Sequence, residues 1–215
     1  MISQNINQGD ANDSYFHVSG HGSVDLVGGK GGGTMITGHF TTALVPYAGD
    51  RKMPLFILLV IVQLQDLLIP LDIFLSKETD LMKLEMTYSH DLVPALFMAL
   101  LAGGIIHLIY RNRRWTAWVV GLVGFHEICD LFSGFAHNVW GLSTWRLGFD
   151  FYRQAPLTAY VIELGLALIC TGYFLRQNRI RGIRPGKLKT GVLLGVIFLP
   201  ILISIGLAAN GKTLF

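Results

Sequence analysis

The chain has 215 residues, 52% of them hydrophobic and 14% charged, with a mean hydropathy of +0.50. That balance excludes an ordinary soluble domain, and a formal net charge of +3 carries no nucleic-acid-binding signature. The fold class it implies is all-α: a polytopic membrane helical bundle of about five transmembrane helices plus a short N-terminal half-helix.

Residues 1–34 are polar and Gly-rich, ending in GGKGGGT, and hold too little apolar surface to fold alone. They read as a flexible tail, with His17 and His21 too sparse for a metal-binding tag. No cleavable signal peptide is expected, because this stretch lacks an apolar core. The transmembrane domain occupies 35–215. Its first piece, MITGHFTTALVPYA at 35–48, would reach only part-way through a bilayer at about 1.5 Å per residue. A half-helix or interfacial helix is predicted there.

The first full span is predicted over 53–75. It carries Gln63, Gln65, Asp66, Pro70 and Asp72. Pro70 lacks the N–H that would bond the Asp66 carbonyl, so backbone is freed beside a carboxylate. The second span runs over 91–110, entered through TYSHDLVP, where Ser89 and Asp91 offer caps and Pro94 suits a first turn. An RNRR turn leads to the third, 115–139. A loop containing WGLSTWRLGFDFYRQ follows, with aromatics suited to the headgroup region. The fourth, 155–175, contains Glu163. After the basic loop RQNRIRGIRPGKLK comes the fifth, 190–209, which has no ionisable residue. Both cysteines, Cys129 and Cys170, fall inside spans, so no disulfide framework is expected.

The basic residues are distributed by loop. Arg51, Lys52, the RNRR turn and the 176–189 loop hold most of them, which makes the 2–3 and 4–5 loops cytoplasmic and the C-terminus external. Asp66, His90, His126, Asp130 and Glu163 then lie at similar depth in the outer half, with Asp72 and His137 nearer the surface. The third span is the richest. In FHEICDLFSGFAH, steps of three and four place His126, Asp130, Ser133, Gly134 and His137 on one helix face, with Glu127 about 100° away. No Lys or Arg lies at that depth, and buried carboxylates without cations either protonate or bind one. Histidine beside Asp and Glu suits zinc, manganese or iron, and a metal pair would activate water and clamp a phosphate-like oxygen. A polar helix–helix packing network stays open as the alternative. Asp72 and Asp91 read as solvating span ends, and His107 as an interfacial histidine.

Five segments in order, TGHFTTAL at 37–44, VQLQDLLIPLDIFL at 62–75, TYSHDLVPAL at 87–96, GFHEICDLFS at 124–133 and VIELGLAL at 161–168, carry a resemblance. The chain resembles polytopic bacterial membrane proteins described as membrane-bound metal-dependent hydrolases, related to a LexA-regulated inner-membrane family. That family's pattern is GHF, a QLxD segment, YSHSL, then SHWxLDxxxH followed by DLPL. The match covers about 35–176 and leaves the 190–209 span outside it. The family is in turn distantly similar to zinc-dependent phospholipase C. The resemblance implies metal ligands at His39, Asp66, His90, His126, Asp130 and Glu163, and a divalent cofactor, zinc before others. This chain departs from the pattern at Gly134, where the family has its second histidine, and at Glu127, where it has tryptophan. His137, at the position of the DLPL aspartate, is the candidate substitute.

The function so implied is a metal-dependent hydrolase with its site toward the outer face, acting on a phosphoester. The alternative is a catalytically degenerate member serving as a structural or accessory subunit of a larger membrane complex. Its partners are the lipid bilayer and, on that alternative, other membrane protein subunits, but no nucleic acid. The location implied is a bacterial inner membrane, multi-pass. A proton pathway is less well served, because only His107 lies toward the inner side.

Overall fold

The computed structural model describes residues 38–77, 84, 86–141, 145–183 and 186–210; the tail at 1–34, with His17 and His21, lies outside the described residues. The architecture is helical. A 3-10 turn at His39–Ala43 runs into α1 (Leu44–Gly49), followed by α2 (Leu55–Val62), a second 3-10 turn at Asp66–Leu68 and α3 (Ile69–Ser76). The long helices are α4 (Leu92–Tyr110), α5 (Arg113–Ser133), α7 (Pro156–Ile180) and α8 (Lys187–Ala209). Between α5 and α7 sit a small antiparallel hairpin, β1 (His137–Asn138) and β2 (Arg146–Leu147), and the single turn α6 (Phe151–Gln154).

Helices α4 and α5 form an antiparallel pair. Arg111 takes the left-handed conformation that ends α4, and Asn112 caps α5 by accepting from the amides of Arg114 (3.0 Å) and Trp115 (3.3 Å). Ala95, Ala99, Ala102 and Gly103 recur at helical spacing on the buried face of α4, where small residues let two backbones approach. A Cβ on Gly103 would overlap the Val120 side chain. One core layer joins this pair to α2 through Leu58, Val62, Val119 and Val123. A second joins α7 to α8 through Ala167, Phe174, Ile197 and Ile201, with Leu44 and Ala48 of α1 packed among them. The segment from Gly38 to Gly49 is therefore a half-helix wedged between the two layers; His39, Thr41, Ala43, Leu44 and Ala48 are buried. It is not interfacial.

Among the described residues, three helices are long and apolar enough to cross a membrane: Leu92–Tyr110, Pro156–Ile180 and Thr190–Ala209. The predicted first span is broken. Leu55–Val62 and Asp66–Ser76 meet at a bend of 62°, and together they have the length and composition of a fourth span. The break follows from Pro70 in the first turn of α3 and from the polar run Gln63, Gln65 and Asp66 just before it. Although α5 has 21 residues, it is not in this apolar set, because it carries Arg113, Arg114, Glu127 and Asp130. It also ends at Ser133 rather than near 139. Gly134 leaves helical geometry (φ −91°, ψ −145°), so His137 stands in β1 and not on the predicted helix stripe.

Candidate metal centre

Four elements meet at one level of the bundle. The buried half-helix supplies His39, the break between α2 and α3 supplies Asp66, the turn before α4 supplies His90, and α5 supplies His126 and Asp130 one turn apart. His39, His90, His126 and Asp130 are fully buried, and only the Asp66 side chain has an exposed edge.

The facing atoms converge. Nε2 of His126 lies 3.3 Å from Oδ2 of Asp130 and 3.9 Å from Oδ1 of Asp66. Nε2 of His90 lies 3.3 Å from Asp66 Oδ1 and 3.6 Å from Asp130 Oδ2. Nε2 of His39 approaches the other Asp130 oxygen at 3.4 Å. One ligand atom from each of Asp66, His90 and His126 falls within 4.8 Å of the other two. A direct charge-assisted hydrogen bond would be about 2.7–2.9 Å. Two donors sharing a tetrahedral ion at about 2.0–2.2 Å sit roughly 3.3–3.5 Å apart. The spacing fits the second case.

Both oxygens of Asp130, Nε2 of His126, Nε2 of His90 and Oδ2 of Asp66 are buried, and among the described residues they face one another rather than partners outside the cluster. Among the described residues, no Lys or Arg forms an ion pair with Asp66 or Asp130. Leaving such groups unsatisfied in an apolar interior is costly, so the donor set itself argues for a bound cation. Imidazoles and carboxylates together are a donor set that could hold a metal ion.

The surrounding residues orient the cluster. Ser89 Oγ lies 2.7 Å from Nδ1 of His90, which directs Nε2 of that ring at the carboxylates. The turn carrying His90 is itself anchored by Asp72, which accepts the amides of Tyr88 (2.8 Å) and Ser89 (3.1 Å). Asp91 accepts the amides of Asn138 (3.1 Å) and Gly141 (2.5 Å), tying the hairpin to the start of α4. Asp72 and Asp91 are thus buried backbone anchors, not solvated span ends. Glu127 is buried as well, accepting at 2.8 Å from Nε2 of Gln65.

The six positions implied by resemblance divide. Asp66, His90, His126 and Asp130 come together, and His39 joins through Asp130 and by ring contact with His126, 4.6 Å between centroids. Glu163 is held by protein donors, the Tyr152 hydroxyl and the Gly38 amide. His137 is buried and touches the cluster by stacking on His90, with centroids 5.2 Å apart. His107 stands apart, facing Thr116. Ser89, Tyr152 and the Gln65–Glu127 pair were not legible as site residues. In the sequence Ser89 reads only as a cap, and its position beside His90 is the available signal. Compared with protein-family models, curated proteins and solved structures, the chain matches none.

Proposed function

We propose that this chain is a five-span inner-membrane protein, α5 crossing the membrane along with the other four, that acts as a metal-dependent hydrolase on a phosphoester at the outer side. The observation that carries the reading is the convergence of His90, His126, Asp66 and Asp130 at 3.3–3.9 Å, their buried Nε2 and carboxylate atoms facing one another. Spanning by α5 is supported by its antiparallel packing on α4 and by the placement of its charges. Arg113 and Arg114 stand at the basic end, and Glu127 and Asp130 face inward and are buried.

Asp66, Asp130, His90 and His126 would hold the cation, with His39 beside Asp130. A divalent cation there supplies a Lewis acid and lowers the pKa of bound water toward neutrality. The chain's own part is electrostatic and steric. Asp66 and Asp130 carry the negative charge that balances the ion, Ser89 fixes the His90 ring, and the tied hairpin keeps bulk water from the buried side.

Metal analysis of protein purified gently in detergent tests this. About one equivalent of zinc, manganese or iron is expected in the wild type and little in His126→Ala. A metal-free wild type would sink the reading.

The second reading is a degenerate member acting as a subunit of a larger membrane complex. It is favoured by Gly134, which occupies the family's histidine position but is the backbone turn that ends α5. Co-purification with such a complex, together with unchanged function in the His126→Ala, Asp130→Ala double variant, would support it.

A further inference from the structure

At the end of the bundle away from the metal centre, Arg51 is half-buried rather than extended into water. Its guanidinium carbon lies 4.1 Å from the centre of the Tyr47 ring and 4.9 Å from that of Phe174. A terminal nitrogen of the same group donates to Oδ1 of Asn178 on α7. A guanidinium only donates, so the amide must turn its oxygen to Arg51, and its Nδ2 remains as a second donor alongside. Asn178 is 3% exposed. Both its Nδ2 and Nε of Arg51 are buried with no acceptor among the described residues.

Further donors gather at the same place. Arg181 donates to the Gly49 carbonyl at 3.0 Å, and a terminal nitrogen of Arg114 lies 3.6 Å from where a Cβ on Gly49 would stand. Both of these arginines are exposed. Asp50, the acid in this stretch, is turned to the Trp115 indole and the Lys52 amide. Among the described residues no carboxylate forms an ion pair with Arg51, Arg114 or Arg181. Packing against Tyr47 and Phe174 accounts for the position of Arg51, but not for two buried donors that lack an acceptor. Such groups are costly to leave unmatched.

We propose that these residues form an anion site that takes a phosphate group, with Arg51 and Asn178 as its buried donors and Arg114 and Arg181 at its rim. The planar fork of a guanidinium matches phosphate oxygens two at a time. Two sources carry that chemistry, the headgroup of an anionic phospholipid and a soluble phosphate. Asn178 stands two residues from the end of α7, a helix long and apolar enough to cross a membrane, which puts the site at headgroup depth. The site is separate from the metal centre and does not depend on the hydrolase reading.

Thermal unfolding of the full chain in dodecyl maltoside, a detergent without phosphate, tests the proposal at constant ionic strength. One arm adds dioleoylphosphatidylglycerol, with dioleoylglycerol as the control for its chains, and the other adds inorganic phosphate. At about 100 times Kd, a ligand of the folded state should raise the midpoint by about 5–10 °C. A rise with phosphatidylglycerol beyond that with dioleoylglycerol, and none with phosphate, assigns the site to a lipid headgroup. A rise with inorganic phosphate, alone or in both arms, assigns it to the phosphate group itself. No rise in either arm overturns the proposal. Arg51→Gln should abolish the rise, whereas Arg113→Gln, which removes an exposed charge at the same end, should keep it. Equal loss in the two variants would make the effect one of general surface charge and overturn the site. Should Arg51→Gln fail to fold, Asn178→Asp decides: it supplies Arg51 with a carboxylate and should remove the response, and a rise of wild-type size in that variant overturns the proposal.

Discussion

Ser89 Oγ lies 2.7 Å from Nδ1 of His90, while Nε2 of the same ring faces Asp66 and Asp130 at 3.3 and 3.6 Å. One neighbour in sequence therefore fixes the orientation of a histidine that answers to two other elements of the fold. Partners of this kind set the tautomer and basicity of a ligating ring.

Ser89→Ala should lower metal affinity by about 10–100-fold with the fold retained. Competition with a chelator, read by metal content, measures it. Unchanged affinity would separate Ser89 from the centre.

Asp72 and Asp66 sit six residues apart and should behave oppositely. Asp72 accepts two amides of the turn that carries His90, whereas Asp66 joins the cluster itself. Asp72→Ala should cost about 1–3 kcal/mol of stability, the price of a buried amide left unpartnered, and should retain stoichiometric metal. Asp66→Ala should lose metal with the smaller change in melting. Thermal unfolding and metal content, measured on both variants, check the contrast.

Gly38 makes a close approach that any side chain would block. A Cβ there would lie 2.8 Å and 2.9 Å from Cβ and Cγ of Glu163. Gly38→Ala should push the half-helix off α7 and destabilise the protein by about 1–3 kcal/mol, as overpacking does. His39 rides on that segment, so metal affinity should fall in the same variant. Gly49→Ala, where the nearest atom is 3.6 Å away at the end of the Arg114 side chain, is the control.

At the opposite end of the bundle, Asp50 accepts the Trp115 indole N–H at 2.9 Å and the Lys52 amide at 3.0 Å. The indole hydrogen bond, foremost, holds the Asp50 carboxyl below its ordinary value of 3.8. A carboxylate depressed on folding adds stability above its unfolded pKa and loses it as pH falls through the lower folded value. Acid titration below about pH 3.8 should therefore destabilise the wild type more than Asp50→Asn. Tryptophan fluorescence during acid unfolding reads the difference, and identical acid limbs would exclude the contact.

Composition and periodicity determined the all-α class and the positions of α4, α7 and α8 as helices long and apolar enough to cross a membrane, because in lipid such runs leave the backbone no other way to satisfy its hydrogen bonds. They also marked Asp66, His90, His126 and Asp130, since charge inside such runs is too costly to be casual. Tertiary structure decided the rest. That α5 stops at Ser133, and that His137 returns over His90 by way of a hairpin, depends on the clamp from Asp91 on another helix. That Asp72 anchors a turn while Asp66 faces histidines depends on how the piece after the bend packs, which sets Asp66 against His90 and His126 and Asp72 against the amides of Tyr88 and Ser89. Helical spacing constrains residues on one element, but a donor set drawn from four elements exists only once packing has brought them within a few ångströms.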